Sequence, residues 1–501
     1  MPQSPASEKH PKPMVALRSR WQWSPEEIQR VGYKVVDLIA KHLTGLPQEP
    51  VFRPFPSQLA IKYLNSSPPE SGREAEEILD TFAGEIELYP FGNGHPRFYG
   101  WVNSPPVVLG VFAEALAAAM NPSCAGGNHA AIYVEREVIN WFRQILGFPP
   151  NSMGVLVSGG SMAALTALAA ARHVHCGYDV RSKGVQGSDV RLTFYRTAEG
   201  HGCHQKAIEI LGIGNDNLRT VAHDASLRML PEALETAIRQ DRERGSRPVA
   251  VIASAGTVNT GAIDPLREIA EVCARNQVWL HVDAAYGGPA ILTREYAQEL
   301  SAISVADSIA LDPHKWLYVP VEAGLVLVRN SANLRKAFSL VPAYLQTDGK
   351  TEGVGGLPWF SEYGFQQTRG FRALKVWMSL EYHGLCGYRA AIEHDISLAR
   401  GLINSLKSDA RFEVFEPQSL SIVCFRYAPA ELRRQGENKV DDCNRAVLEK
   451  LQLGGKVFLS STVIGDKFWL RACIVNPRAS EEDIDLVPKV VAEAATSMAA
   501  S

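Results

Sequence analysis

The chain reads as an α/β protein: a mostly parallel central sheet with helices on both faces, a smaller C-terminal α+β domain, and a helical segment in front. Three observations predict this. Between about residues 95 and 374, short apolar runs at 154–157, 191–195, 249–253, 278–282, 308–311 and 325–328 alternate with helical patterns. Runs that are mostly apolar suit strands buried on both faces. After about residue 375 strands and helices follow in a different rhythm, and before residue 95 the apolar positions recur only at helical spacing. The expected segments are therefore 1–94, 95–374 and 375–501.

Ser24-Pro25-Glu26-Glu27 is a capping box with proline at the first helical position, and Ile28, Val31, Val35, Leu38, Ile39 and Leu43 continue at helical spacing. Residues 47–69 are proline-rich and polar and read as an extended arm, with helical periodicity returning over 74–86. Such a small helical unit needs another surface to pack on, such as a second subunit. Within the central region the clearest helix follows Asp264-Pro265, with Asp264 as its cap. The stretch 341–363 carries Gly349, Gly353, Gly355 and Gly356 and few core residues, the mark of a long loop that closes over a site. Beyond it, a helix is expected over 398–406, a strand over 421–425, a helix over 444–451, strands over 457–460 and 468–474, and a capped helix from Ser480.

Composition narrows the function classes. The 501 residues are 46% hydrophobic and 21% charged, with a formal net charge of −3 and a pI near 6.5. No field of one sign attracts a polyanion, so nucleic acid is not an expected partner. The eight cysteines include no Cys-x-x-Cys pair and read as buried thiols of a reducing, cytoplasmic setting. His173, His175 and Cys176, with His201, Cys203 and His204 downstream, match no common zinc spacing, and no metal is expected. Residues 1–20 lack the apolar core of a signal peptide, and no run of about 18 uncharged apolar residues occurs, so a soluble protein without a membrane span is expected.

The chemistry concentrates at the ends of two successive strand signals. Asp283 lies in His281-Val-Asp283-Ala-Ala-Tyr286, and Lys315 lies in Asp312-Pro-His314-Lys315-Trp316. A lysine amine can hold the aldehyde of pyridoxal 5'-phosphate (PLP), and a carboxylate can keep its ring nitrogen protonated so that the ring accepts electrons. In open α/β sheets ligands bind beyond the carboxyl ends of the strands, where both residues lie. Ser158-Gly159-Gly160-Ser161 between a strand and an alanine-rich helix forms an anion cradle of backbone amides. Taken alone it suits a dinucleotide fold or a plain turn equally, although it lacks the full G-x-G-x-x-G spacing.

These motifs, with His201 and Arg471-Ala-Cys-Ile-Val-Asn476-Pro, resemble the group II PLP-dependent amino acid decarboxylases, the family of aromatic-L-amino-acid, histidine and glutamate decarboxylases. The similarity runs from about residue 23 to 491. It implies the fold-type I PLP-dependent transferase fold and a homodimer with its active site at the subunit interface. It further implies that Lys315 carries the cofactor, Asp283 faces the pyridine nitrogen and His201 stacks on the ring. Gly160, Ser161, Ser308 and His314 match phosphate-side positions, and Thr257 sits where the family keeps a hydroxyl near the cofactor. Tyr344 resembles the loop tyrosine that protonates Cα, often from the other subunit. The implied reaction is decarboxylation of an L-amino acid to its amine and CO2.

Phe98, Trp101, Val102 and Trp316 fall where the family lines the substrate pocket and offer aromatic surface to a flat side chain. The chain departs from aromatic-specific relatives in carrying Trp101-Val-Asn-Ser104 in place of a Tyr-Phe-Pro-Thr-like run, and in having Thr368 where Gly or Ser is common. Arg97 could instead pair with an acidic side chain, suggesting glutamate, aspartate or a sulfinate as substrate. An aldehyde synthase is a further alternative. The favoured expectation is an aromatic amino acid.

Overall fold

The computed structural model describes residues 21–92, 94–340, 357 and 359–499. It divides into two compact units, residues 1–95 with 453–455, and residues 96–452 with 456–501.

The first unit is helical. Its longest helix, Pro25–Gly45, starts with the expected capping box: the Glu27 amide donates to Ser24 Oγ at 3.2 Å and the Ser24 amide to Glu27 Oε2 at 2.8 Å. No residue of this helix is buried, and Ile28, Tyr33, Val35 and Val36 are exposed. The arm expected over 47–69 instead contains the helix Ser57–Asn65. Prolines stop at Pro56 and resume at Pro68, which leaves enough chain free of helix breakers for two turns. A helix over Ala75–Thr81 widens into a π turn at Phe82–Ile86.

The second unit is built on two sheets. Strands β1 (Met153–Val157), β2 (Leu192–Thr197), β3 (Leu218–Val221), β4 (Arg247–Ser254), β5 (Trp279–Asp283), β6 (Ser308–Leu311) and β7 (Gly324–Val328) form a seven-stranded sheet in the order β1-β7-β6-β5-β4-β2-β3. Neighbours from β3 through β6 are parallel, and β7 runs antiparallel between β6 and β1. The carboxyl ends of β1, β2, β4, β5 and β6 therefore share one edge. All six expected strands are present. The four-residue β3 at the sheet edge escaped notice because Arg219 and Thr220 break its apolar run.

The helix Gly160–His175 packs on β4 to β7 with Ala163, Ala164, Ala167, Ala170 and Ala171 fully buried, small side chains that let backbone approach backbone. Asp264 does not cap the helix Leu266–Asn276. Its buried carboxylate accepts from the amides of Met229 and Ser254, both at 2.7 Å, because two buried N–H groups outside the helix need an acceptor.

The smaller antiparallel sheet, order β10-β11-β9-β8, comprises β8 (Phe412–Val414), β9 (Ile422–Tyr427), β10 (Ser460–Ile464) and β11 (Lys467–Cys473). The boundary expected at 374/375 falls inside one long helix, Arg372–Lys407, interrupted at Gly384 with φ 59°. Ala373, Val376, Tyr388 and Ile392 of this helix join the core of the large sheet, whereas Leu398, Leu402 and Leu406 join that of the small one. The helix thus spans both cores, and the change-over lies near residue 397. The last helix is capped by Ser480 as expected, with the Asp483 amide donating to Ser480 Oγ at 3.3 Å. No helix among the described residues is long and apolar enough to cross a membrane.

Candidate active site

Five connections meet at the carboxyl edge of the large sheet: Ser158 to Ser161 after β1, His201 after β2, Thr257 after β4, Asp283 at the end of β5, and Asp312 to Lys315 after β6. Asp283 pairs in register with Ala310, so its neighbour strand delivers Asp312 two residues further on. The turn closes with the Lys315 amide donating to the Asp312 carbonyl at 2.9 Å, which folds the lysine back over the sheet. Lys315 Nζ lies 3.0 Å from Asp312 Oδ2, and Asp312 is almost fully buried. Burial alone would drive the Lys315 amine down, but Asp312 and Asp283 outweigh it and raise it.

Gly159 adopts φ 155°, ψ 178°, a region reserved for glycine, and begins the Gly160–His175 helix. A Cβ on Gly160 would stand 2.9 Å from Asp312 Oδ2 and 3.3 Å from Ala285 Cβ, so the loop backbone is bare where it approaches the lysine turn. His314 borders the same loop. Its Nδ1 lies 2.7 Å from the Ala323 carbonyl oxygen, and its Cε1 would be 3.5 Å from a Cβ on Gly159.

Asp283 has partners on two sides. The Ala285 amide donates to Oδ1 at 3.1 Å, and His204 Nε2 stands 3.1 Å from Oδ2, an ion-pair distance with the ring N–H directed off the line. Burial would raise the Asp283 carboxyl, yet the His204 contact prevails and holds it well below the usual carboxylate range. In the sequence His204 stands among the histidines and cysteines at 173–176 and 201–204 that match no zinc spacing. Its part was not legible locally, because its partner Asp283 lies 79 residues further along the chain. His201 itself caps the helix Gly202–Ile210, accepting the Cys203 amide on Nδ1 at 3.2 Å, with its side chain exposed at the sheet edge.

Some expected positions lie elsewhere. Ser308 starts β6, fully buried, and its Oγ accepts from Trp279 Nε1 at 2.7 Å and lies 2.9 Å from His281 Nδ1. It pairs with His281, two residues behind Asp283, so its hydroxyl belongs to the layer beneath the site and not to a phosphate cradle. Trp316 offers no pocket surface: it is fully buried, stacked on Tyr286 at 5.0 Å, and its Nε1 donates to Asp395 Oδ2 at 2.8 Å. Its apolar bulk and its one donor are both satisfied in the core. Thr257 is buried in the turn after β4, where Oγ1 accepts the Ala262 amide at 3.2 Å. Phe98 is buried and stacked on Phe458 at 4.8 Å, Val102 joins the main core, and Trp101, 44% exposed as a residue, lies beside Phe458. The left-handed backbone of Trp101, φ 48°, is held by Arg471, whose Nη1 donates to the Trp101 carbonyl at 3.0 Å. Arg97 is engaged by the Lys456 carbonyl at 2.9 Å and by Asp483 at 3.4 Å. Tyr344 lies outside the described residues.

Residues 58–428 match the model of the pyridoxal-dependent decarboxylase conserved domain. The chain belongs to this family. An aromatic-L-amino-acid decarboxylase from Bacillus atrophaeus is 37% identical over 92% of this chain and 94% of its own length. An acidic amino acid decarboxylase from Homo sapiens is 30% identical over 83% of this chain and 81% of its own. The crystal structure of Oryza sativa TDC with PLP and tryptamine superposes with a TM-score of 0.87 at 25% identity, covering 95% of this chain and all of that one.

The protein is accordingly a PLP-dependent amino acid decarboxylase with the fold of that family. The residues present fit the cofactor: a bare glycine loop, the Lys315 amine 3.0 Å from Asp312, and the carboxylate of Asp283 at the end of β5 lie along one edge of the sheet. Bound there, PLP supplies the electron sink that carries the charge left when CO2 departs.

Proposed function

We propose that the chain decarboxylates an aromatic L-amino acid to its amine, acting as a cytoplasmic homodimer with the site at the subunit interface. Lys315 would hold the cofactor's aldehyde, and Asp283 its ring nitrogen. Gly160, Ser161 and His314 would hold its phosphate, His201 its ring face, and Thr257 would shape the wall of the site. Asp283 is suited to its part because His204 keeps it ionised in a buried setting. The protein's work is then mainly orientation, presenting the carboxylate bond of the substrate perpendicular to the ring plane, and return of a proton to Cα, the role assigned to Tyr344.

The observation that carries the aromatic reading is the state of Arg97. Its guanidinium is bound to Asp483 and a backbone carbonyl, so it is occupied by an anion of the chain itself. The neighbouring surface is aromatic, with Trp101 exposed against the Phe98–Phe458 stack. The dimer is supported by the exposed apolar residues Ile28, Tyr33, Val35 and Val36 on a helix without a buried residue.

The test is CO2 release from purified holoenzyme across the twenty L-amino acids and dihydroxyphenylalanine. Turnover of tryptophan, tyrosine, phenylalanine or dihydroxyphenylalanine in preference to glutamate and aspartate is expected; the reverse preference ends the aromatic reading. Sedimentation at twice the 54.8 kDa chain mass is expected, and a monomer that turns over normally would refute the interface site.

A further inference from the structure

Beneath Asp283 lies a group of side chains that the decarboxylation reaction does not itself require. His204 is fully buried on the helix Gly202–Ile210, with Nε2 at 3.1 Å from Asp283 Oδ2. Among the described residues neither of its ring nitrogens makes a hydrogen bond of good geometry. Cys203 is buried beside it, and ligand-type atoms of Cys203, His204 and Asp283 all fall within 4.8 Å of one another. On the other side, His281 meets His204 edge to face at 6.4 Å, and its Nδ1 is 2.9 Å from Ser308 Oγ. Trp279 donates to the same Ser308 hydroxyl. An ordered stack thus runs from the sheet interior up to the carboxylate: Trp279, Ser308, His281, His204, Asp283.

A lone carboxylate largely withdrawn from water holds its proton more tightly, to escape the loss of hydration. A cation on its far side prevents that while leaving its near side unobstructed. We infer that His204 is a positioning residue that fixes Asp283 as an oriented anion, and so governs how tightly and in which protonation state the cofactor ring is held. This rests on the assignment of Lys315 and Asp283 to PLP. His204 acts through Asp283 and touches no reacting atom.

The charges around His204 agree with this part. Burial pushes the imidazole down, but Asp283 and Cys203 prevail and bring it up to about 9. Burial raises the Cys203 thiol, but His201 and His204 overcome it and bring it down to about 6. Burial and the His204 charge drive His281 down to about 3, so the lower imidazole is neutral. Among the described residues, Lys315, which interacts with Asp283 and Cys203, and Arg196, which interacts with Cys203, are further cations facing the group.

The experiment compares holoenzyme with His204→Leu, which removes charge and donor, and His204→Gln, which keeps a donor in a similar volume. Retained folding is checked by circular dichroism, PLP affinity by equilibrium titration, and the visible absorbance of bound PLP is followed against pH. Affinity should fall roughly tenfold to a hundredfold in His204→Leu, the range seen when partners behind metal ligands are removed. Both variants should gain a spectral transition on the acid side of neutrality as Asp283 takes up a proton, smaller in His204→Gln and absent from the wild type. A Cys203→Ser control should lack it. Should only His204→Gln fold, it alone decides. Wild-type affinity together with a flat acid-side spectrum in a folded variant overturns the inference. So does stoichiometric zinc in the purified protein, which would make the three residues a metal site. Borohydride reduction with mass spectrometry separates the two levels: label on Lys315 with unaffected His204 variants refutes this inference alone, whereas no label on Lys315 refutes the cofactor assignment and this inference with it.

Discussion

Glu135 and Arg369, 234 residues apart in sequence, form an ion pair whose side chains are 0% and 1% exposed. They hold β1 through both backbone groups of one residue: the Leu156 amide donates to Glu135 Oε1 at 3.0 Å, and Arg369 Nη2 donates to the Leu156 carbonyl at 2.6 Å. Arg369 also lies over the Phe360 ring at 4.9 Å and donates to the Cys124 carbonyl. The strand so held leads, two residues later, into Ser158 and the glycine loop. Removing one partner strands a buried charge, so Arg369→Leu should cost about 3–5 kcal/mol. Pairing it with Glu135→Leu should recover part of that loss. Urea denaturation of the apoprotein measures both; a double variant no more stable than the single would mean that the lost carbonyl bonds, and not the charge, set the cost.

Gly324 in β7 lies against the same loop. A Cβ there would come within 2.4 Å of Gly159 Cα and 2.6 Å of its carbonyl carbon, with no flexible side chain to yield. Gly324→Ala should therefore displace the loop backbone while the sheet core persists. The expected result is a PLP affinity lowered by about tenfold or more with far-ultraviolet circular dichroism unchanged. Wild-type affinity in this variant would remove the glycine loop from the cofactor site.

The sheet and its functional edge were legible in the sequence because both leave local marks. A strand buried on two faces is a mostly apolar run, and Asp283 ends one of them while Lys315 follows another. What local pattern does not carry is which distant group a polar side chain meets. Asp264 precedes a helix, as a cap would, but its carboxylate is taken by Ser254 and Met229. Ser308 and Trp316 flank the lysine turn, yet strand register turns one into the layer below, and Asp395 draws the other into the core. Glu135, Arg369, His204 and Asp395 acquire their meaning only through partners remote in sequence, and nothing in their neighbours announces it. The edge strands β3 and β8 are short enough that three or four residues, some of them polar, carry too weak a signal.

Tyr344, which resembles the loop tyrosine of the family, is proposed to return the proton to Cα. With no acid at that point, the carbon remains open to competing chemistry with dioxygen. Tyr344→Phe should keep PLP bound while its product shifts from amine toward aldehyde, with ammonia and peroxide released. Quantifying all four products decides it. Clean amine formation at the original rate would assign the proton to another donor.

Asp395, buried on the long helix, accepts from Trp316 Nε1 at 2.8 Å and Tyr318 hydroxyl at 2.7 Å on one oxygen, and from the Asn476 amide at 3.2 Å on the other. It thereby anchors both residues that follow Lys315 at one and three positions. Burial pushes its carboxyl up from 3.8 to about 7, against the bonds from Tyr318, Trp316 and Asn476. Because the folded state holds this proton more tightly than the unfolded chain, the contribution of Asp395 to stability is greatest below pH 3.8. It is lost as the pH rises toward about 7. Asp395→Asn cannot accept on both sides and should lose about 1–3 kcal/mol. The wild type should exceed the variant by more at about pH 5 than at about pH 8, since only the wild type sheds a proton between them. Urea unfolding at the two pH values measures the difference, and a gap independent of pH would place the titrating proton on another buried group.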